Sequence, residues 1–149
     1  MRNLFTGDFG KRLSGPEFLN DKEILYVERE TTGSERIRIF NLESGKSEPW
    51  HQGLESVQGV RKTSAGVLVT AADQNIRNAF LLKSHEPPQP VTNTLTEITD
   101  ADLDSQTNEI LISELSAQGH RLRTLPFQTF RPPQLNPIQL AAPPVIKKS

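Results

Sequence analysis

The sequence predicts an all-β protein built from about three repeats, and two observations carry that prediction. Three short apolar runs with high strand propensity begin at Ile24, Val67 and Ile110, so they lie 43 residues apart twice over. Each run is followed by turn residues and then a second strand-like run, which is the pattern of an antiparallel hairpin. A period of about 40–45 residues accommodates four short strands, the size of one propeller blade. We therefore expect antiparallel meander repeats of the propeller-blade type.

The predicted elements follow the same order in each repeat. In the predicted strand 36–42, Ile37 and Ile39 alternate with arginines, as expected for a half-buried strand, and Gly, Asn, Asp and Ser cluster in the predicted turns. The predicted strands are 24–28 and 36–42, then 67–71 and 79–82, then 110–114 and 120–125. The predicted turns are 20–21, 31–34 and 43–46, then 63–66 and 72–75, then 105–108 and 118–119, while Pro87, Pro88 and Pro90 are expected to end the second repeat's returning strand.

These elements divide the chain into two parts. Residues 1–126 are expected to form a partial propeller with repeats near 14–53, 54–93 and 94–126, and residues 1–13 are expected to end a preceding blade. The first eight residues contain a Thr-Gly-Asp turn but no apolar stretch, so they do not read as a signal peptide. We interpret this start as that of a piece cut from a longer protein, with a cytosolic protein that simply begins there as the alternative.

The segment 127–149 is expected to be a proline-rich linker or strap. Residues 126–149 hold six of the eleven prolines, no acidic residue and no strand-like alternation. Such a composition favours extended polyproline conformation. A tail without fixed structure is the alternative, although the apolar residues between the prolines favour partial docking.

Composition excludes several classes of partner and site. The 17 basic and 18 acidic residues give a net charge of −1, which provides no field for nucleic acid or an anionic membrane. The absence of cysteine removes disulfides, thiolate metal sites and cysteine nucleophiles. No apolar run approaches the roughly 18 residues of a membrane span. A Gly-x-Ser-x-Gly nucleophile motif and a phosphate-binding glycine loop are also absent; Gly7 and Gly10 lack the following Lys-Ser/Thr.

Asp100, Asp102 and Asp104 are the candidate metal ligands of the sequence. A calcium-binding EF-hand loop starting at Asp100 needs glycine at its sixth position and glutamate at its twelfth, where this chain has Ser105 and Leu111. On a strand the three carboxylates share one face. We therefore expect a solvated or turn-capping row and no bound metal or cofactor.

The remaining chemistry-bearing residues are expected to have structural roles. His51, His85 and His120 occur once per repeat at positions that do not match, which is typical of exposed loop histidines. Ser14-Gly15 and Ser44-Gly45 are expected to be turn residues, and three aromatic residues to pack in the core: Tyr26, Phe40 and Trp50. Two pairs of arginines alternate with apolar residues and are expected on solvated strand faces, with a basic stripe for an acidic partner as the alternative: Arg36 and Arg38, Arg121 and Arg123.

The repeat resembles those of the TolB-like six-bladed propeller family. Residues 16–26, Pro-Glu-Phe-Leu-Asn-Asp-Lys-Glu-Ile-Leu-Tyr, are similar to the first half of such a blade, and residues 37–46, Ile-Arg-Ile-Phe-Asn-Leu-Glu-Ser-Gly-Lys, to its second half. Leu4-Phe5-Thr6 and Val91-Thr92 are similar to the dipeptides that close a blade. The resemblance covers residues 4–126, with the usual Pro-Asp-Gly turn replaced in every repeat.

The resemblance implies a non-enzymatic protein-interaction or scaffolding module of a larger bacterial envelope protein or complex, in the periplasm or cell envelope. Its partners would be proteins or peptides. The alternative is the accessory propeller of an exported peptidase or other hydrolase whose catalytic domain lies elsewhere. About three blades leave sheet faces without a partner, so we expect association with the remaining blades of a parent protein or a homodimer.

Overall fold

The computed structural model describes residues 1–51, 53–73 and 75–130. These residues form three antiparallel sheets and no helix, which confirms the all-β prediction. In each sheet the strands are adjacent in chain order, as in a meander. Sheet 1 contains β1 (Arg12–Asn20), β2 (Glu23–Arg29), β3 (Glu35–Asn41) and β4 (Ser47–His51). Sheet 2 contains β5 (Glu55–Lys62), β6 (Val67–Asp73), β7 (Ile76–Leu82) and β8 (Gln89–Pro90), and sheet 3 contains β9 (Glu97–Asp104), β10 (Glu109–Ser116) and β11 (Gly119–Pro126).

The three sheets are stacked face to face, with sheet 2 in the middle. Because side chains alternate along a strand, β6 sends Val67 and Val69 toward sheet 1 and Leu68 toward sheet 3. β7 alternates in the same way. Sheet 2 therefore lies between two hydrophobic cores and is buried on both faces.

Equivalent residues of the repeat point in the same direction along the stack. Leu25 packs in the core between sheets 1 and 2, and Leu68, 43 residues later, packs in the core between sheets 2 and 3. Leu111, another 43 residues on, faces outward from sheet 3. We call the face of each sheet that carries this leucine its leading face, and the opposite one its trailing face.

The first strand of each sheet packs on the sheet before it. β5 contacts β1, β2 and β3, and β9 contacts β5, β6 and β7. The first strands are therefore neighbours, while the last strands lie toward the outside. This placement brings the turns of sheets 1 and 2 together at one end of the stack.

The prediction that Ser14-Gly15 is a turn was wrong. Both residues lie in β1, where the pairing with β2 shifts between Ser14 and Glu17. Gly15 has a φ of +60° there, a left-handed conformation that glycine adopts without a side-chain clash. A Ser-Gly pair is compatible with a β-bulge as well as with a turn, so composition alone does not distinguish the two.

β7 ends at Leu82, before Pro87, Pro88 and Pro90, as predicted. Pro90 pairs with Phe80 in β8, a short strand that the sequence did not predict. β8 is an edge strand, where the missing N–H of proline costs no ladder hydrogen bond. Beyond β11, Phe127 packs against the core between sheets 2 and 3, and the N–H of Phe130 donates to the carbonyl of Pro90 at 2.7 Å. The rest of the predicted proline-rich strap, residues 131–149, lies outside the described residues.

Gly66, in the β5–β6 turn, is the glycine for which we expect the largest effect of substitution. Its φ is +145°, and a Cβ atom there would lie 2.8 Å from the carbonyl oxygen of Leu82. Gly66→Ala is therefore expected to lower the free energy of unfolding by about 2–3 kcal/mol, measured by urea denaturation. Gly33→Ala is the control: its φ is +90° but nothing lies within 4 Å, so strain alone costs about 1 kcal/mol. Equal losses in the two variants would contradict the steric argument.

Candidate binding cleft between the first two sheets

A cleft of about 580 Å³ opens where the ends of sheets 1 and 2 meet. One wall comes from β3 and β4 and the other from the β5–β6 turn and the residues that follow β7. The hydrophobic core between the two sheets reaches the surface here. The cleft therefore exposes the edge of a core between two walls of polar side chains.

The floor of the cleft is apolar. Trp50, Leu19 and Ile39 from sheet 1 are partly buried and pack against the core, and Val67 and Leu82 from sheet 2 are buried. Trp50 thus has the packing role that the sequence predicted, and it also lines the cleft. A half-buried indole beside aliphatic groups offers a large apolar surface to a ligand.

The walls of the cleft are charged. Lys62, Lys83 and Glu48 are exposed and line it together with the half-buried Glu23. Among the described residues, neither lysine forms an ion pair. A ligand carboxylate that reaches these two ammonium groups would therefore not displace an existing partner.

Local hydrogen bonds fix the loops around the cleft. The Thr63 N–H and hydroxyl both donate to the carbonyl of Gly66, at 2.7 and 2.8 Å, which closes the β5–β6 turn. On the other side, His51 Nε2 donates to the Glu86 carbonyl at 3.0 Å and so ties β4 to the loop after β7. These hydrogen bonds fix the loops on both sides of the cleft.

The three histidines do not converge. His51 ends β4, His85 lies in the turn after β7 with a φ of +62°, and His120 is exposed on β11. His85 lines the cleft and His51 supports its wall. In residues 1–51, 53–73 and 75–130 no group of three or more His, Cys, Asp or Glu side chains is placed to hold a metal ion.

The carboxylates of Asp100, Asp102 and Asp104 accept hydrogen bonds from different partners. Asp100 Oδ2 accepts a hydrogen bond from Arg61 of β5 at 2.9 Å. Asp102 Oδ1 accepts from the N–H of Leu103. The pKa of Asp104 is lowered, first by the Gln106 N–H and then by the Thr107 hydroxyl, both of which its carboxylate accepts in the β9–β10 turn.

The predicted solvated arginine faces carry ion pairs that the sequence analysis missed. On the trailing face of sheet 3, Glu114 is 3% exposed and lies 3.0 Å from Arg123 and 3.8 Å from Arg121. On the trailing face of sheet 1, Glu28 lies 3.8 Å from both Arg38 and Lys11. A signal was present in the chain, because Glu28 and Glu114 lie 86 positions apart, twice the repeat period.

Glu114 is expected to make stability depend on acidity. Its pKa is lowered, chiefly because its carboxylate accepts a hydrogen bond from the Thr96 hydroxyl and then because of Arg123 and Arg121. A carboxyl group with a lowered pKa in the folded state stabilises the fold above its ordinary pKa and loses that contribution as pH falls through the lowered value. As the pH is lowered, the melting temperature of the wild type should therefore fall more steeply than that of Glu114→Gln. The exposed Glu109→Gln is the control, and parallel curves for Glu114→Gln and the wild type would contradict the assignment.

Comparison with known proteins gives no family to which the chain can be assigned. No family model matches it, and no curated protein shows significant similarity. Across the part of the chain that the structure describes, we find no helix with the length and apolar character to cross a membrane. The cleft and its walls are therefore the basis for a functional proposal.

Proposed function

We propose that the chain is a non-catalytic, propeller-type module that binds extended segments of other proteins in the cleft between sheets 1 and 2. The observation that carries this proposal is the exposed core edge around Trp50, flanked by Lys62 and Lys83. An apolar floor with few charged groups on its walls is typical of sites that bind a side chain and orient its backbone.

The propeller interpretation is supported by the arrangement of the sheets. Each is a meander, each packs face to face on the next, and the first strands are neighbours while the last strands lie outside. In a propeller, sheets stacked around an axis form a rigid body whose turns present a broad binding surface. We further propose, from the resemblance of residues 16–26 and 37–46 to TolB-like repeats, that the module belongs to a bacterial envelope protein or complex.

The cleft favours a peptide with one large apolar side chain next to an acidic one. The apolar group would cover the indole of Trp50 and the aliphatic floor, and the carboxylate would lie between Lys62 and Lys83. Because both lysines are exposed, their attraction to the ligand is screened by salt and contributes mainly to specificity.

Selection of random peptides on the immobilised 149-residue chain tests the proposal. Selected peptides should be enriched in an aromatic or large aliphatic residue beside Asp or Glu, and Trp50→Ala should weaken their binding by about 10–100-fold, as for a central aromatic contact. Lys83→Glu should also weaken peptide binding relative to the wild type. The loss should grow as the salt concentration is lowered, because repulsion of the peptide carboxylate replaces attraction. Phe9→Ala is the control, since Phe9 is fully exposed and outside the cleft. Peptides that bind the wild type and Trp50→Ala equally would refute the cleft as the site.

A further inference from the structure

The leading face of sheet 3 has the pattern of an interface but no partner within the described residues. Leu111 is 43% exposed, whereas its repeat equivalents Leu25 and Leu68 are fully buried. Leu122 is 72% exposed, and the residues at its register position, Ile37 and Ala79, are buried. In sheets 1 and 2 the equivalent leading face is covered by the sheet that follows it in the chain.

Polar groups repeat with the same register. Opposite the central leucine of each sheet, Glu17 accepts from the N–H of Lys62 at 3.2 Å, and Arg61 donates to Asp100 at 2.9 Å. Both contacts tie a sheet to the first strand of the next. Asp102 holds the equivalent position in sheet 3. It is therefore placed to accept a backbone N–H from a further first strand.

The matching trailing face of sheet 1, at the other end of the stack, is exposed in part: Phe5 packs on the buried Tyr26 and Phe40, and Phe18 is left uncovered. Phe18 of β1 is 64% exposed, although its register equivalent in sheet 3, Leu103, packs against a core. Beside it, Phe5 stacks on Phe40 with ring centroids 4.8 Å apart and leaves an apolar cavity of about 210 Å³ lined also by Ile24. One chain thus carries both halves of the sheet-to-sheet interface that it contains twice internally.

The segment before β1 has the repeat position of the fourth strand that sheet 3 lacks among the described residues. Sheets 1 and 2 have a fourth strand, but in the described residues sheet 3 has three, so β11 is an edge. Asn3 and Leu4 lie 86 positions, or two repeat periods, before Gln89 and Pro90, which form the fourth strand of sheet 2. Residues 3–4 are therefore at the repeat position of a fourth strand.

We propose that the leading face of sheet 3 binds the trailing face of sheet 1 in a second copy of this chain. β1 of the second copy lies across β10 and β11, as β5 lies on β2 and β3, and residues 3–4 of that copy pair with β11. The contact is head-to-tail, so two copies related by a two-fold axis form two such interfaces and close. This association is independent of peptide binding in the cleft.

Sedimentation equilibrium of the 149-residue chain over a wide concentration range tests the proposal. The wild type should reach twice its monomer mass of 16.7 kDa. Leu122→Asp on one face and Phe18→Asp on the other should each raise the dimer dissociation constant at least about 100-fold, because each places an unpaired charge in both apolar interfaces. Leu95→Asp should leave it unchanged, since Leu95 is 93% exposed on a loop outside both faces. Melting curves recorded at low protein concentration are the control that the variants are folded.

Mixing the two interface variants distinguishes this arrangement from other associations. A mixture of Leu122→Asp and Phe18→Asp retains one intact interface, formed by the unaltered face of each, so heterodimers should appear where neither variant dimerises alone. A symmetric contact of sheet 3 with sheet 3 would show no such rescue and would overturn the proposal. A wild type that remains monomeric at every concentration would also overturn it, whether residues 131–149 or another protein covers the face.

Discussion

Leu68→Ala is expected to lower the free energy of unfolding by about 3 kcal/mol, within the range for large-to-small changes at fully buried sites. Leu68 is completely buried in the middle of β6 and packs into the core between sheets 2 and 3. The neighbouring strands are fixed by their ladders, so the space left by the missing side chain cannot close fully. Urea denaturation followed by circular dichroism measures the loss.

Leu95→Ala is the matched control for this change. Leu95 is a leucine of the same chain but is almost fully exposed, so truncation should change the free energy of unfolding by less than about 0.5 kcal/mol. Similar small losses in the two variants would show that sheet 3 does not cover Leu68. The stacking of sheets 2 and 3 would then be wrong.

Phe80→Ala is expected to cost about 4 kcal/mol, the largest effect of any substitution proposed for this chain. Phe80 projects from β7 to the opposite side of sheet 2 and packs in the core between sheets 1 and 2, where it is 4% exposed. The unfolding free energy from denaturant titration again gives the effect. Phe9→Ala controls for loss of an aromatic ring, since Phe9 is fully exposed. A cost below about 1 kcal/mol would mean that sheet 1 does not cover this face.

The strands that the sequence predicted best are those in the middle of each sheet. β2, β6 and β10 carry the apolar runs, and the 43-residue spacing of these runs made the positions of the strands predictable. The first strands were harder to predict. β1 contains Gly15-Pro16 at a bulge, and β5 contains Gly59 at another register shift, so neither shows regular alternation. Bulges interrupt the period on which such a prediction depends.

The candidate cleft could not be predicted from local patterns. Its lining residues come from both sheets, and Trp50 and Lys83 are 33 positions apart in the chain. Which of them meet depends on how two sheets stack, and stacking is a property of the fold. The buried Glu114 illustrates the same limit, because cross-strand register places Arg121 and Arg123 beside it. The repeat spacing of Glu28 and Glu114 was the one available signal.

The central claim is that sheet 2 is enclosed between two other sheets of the same repeat. Residue-resolved native-state hydrogen exchange tests it most directly in the Phe18→Asp variant, which the proposed dimer excludes, because amides in the most enclosed sheet of the monomer open only with global unfolding. The slowest amides should be those of 67–71 in β6 and 79–82 in β7, with faster exchange in the edge strands β4 and β11. Equal protection of the three sheets, or the slowest exchange in sheet 1, would contradict the stacked arrangement.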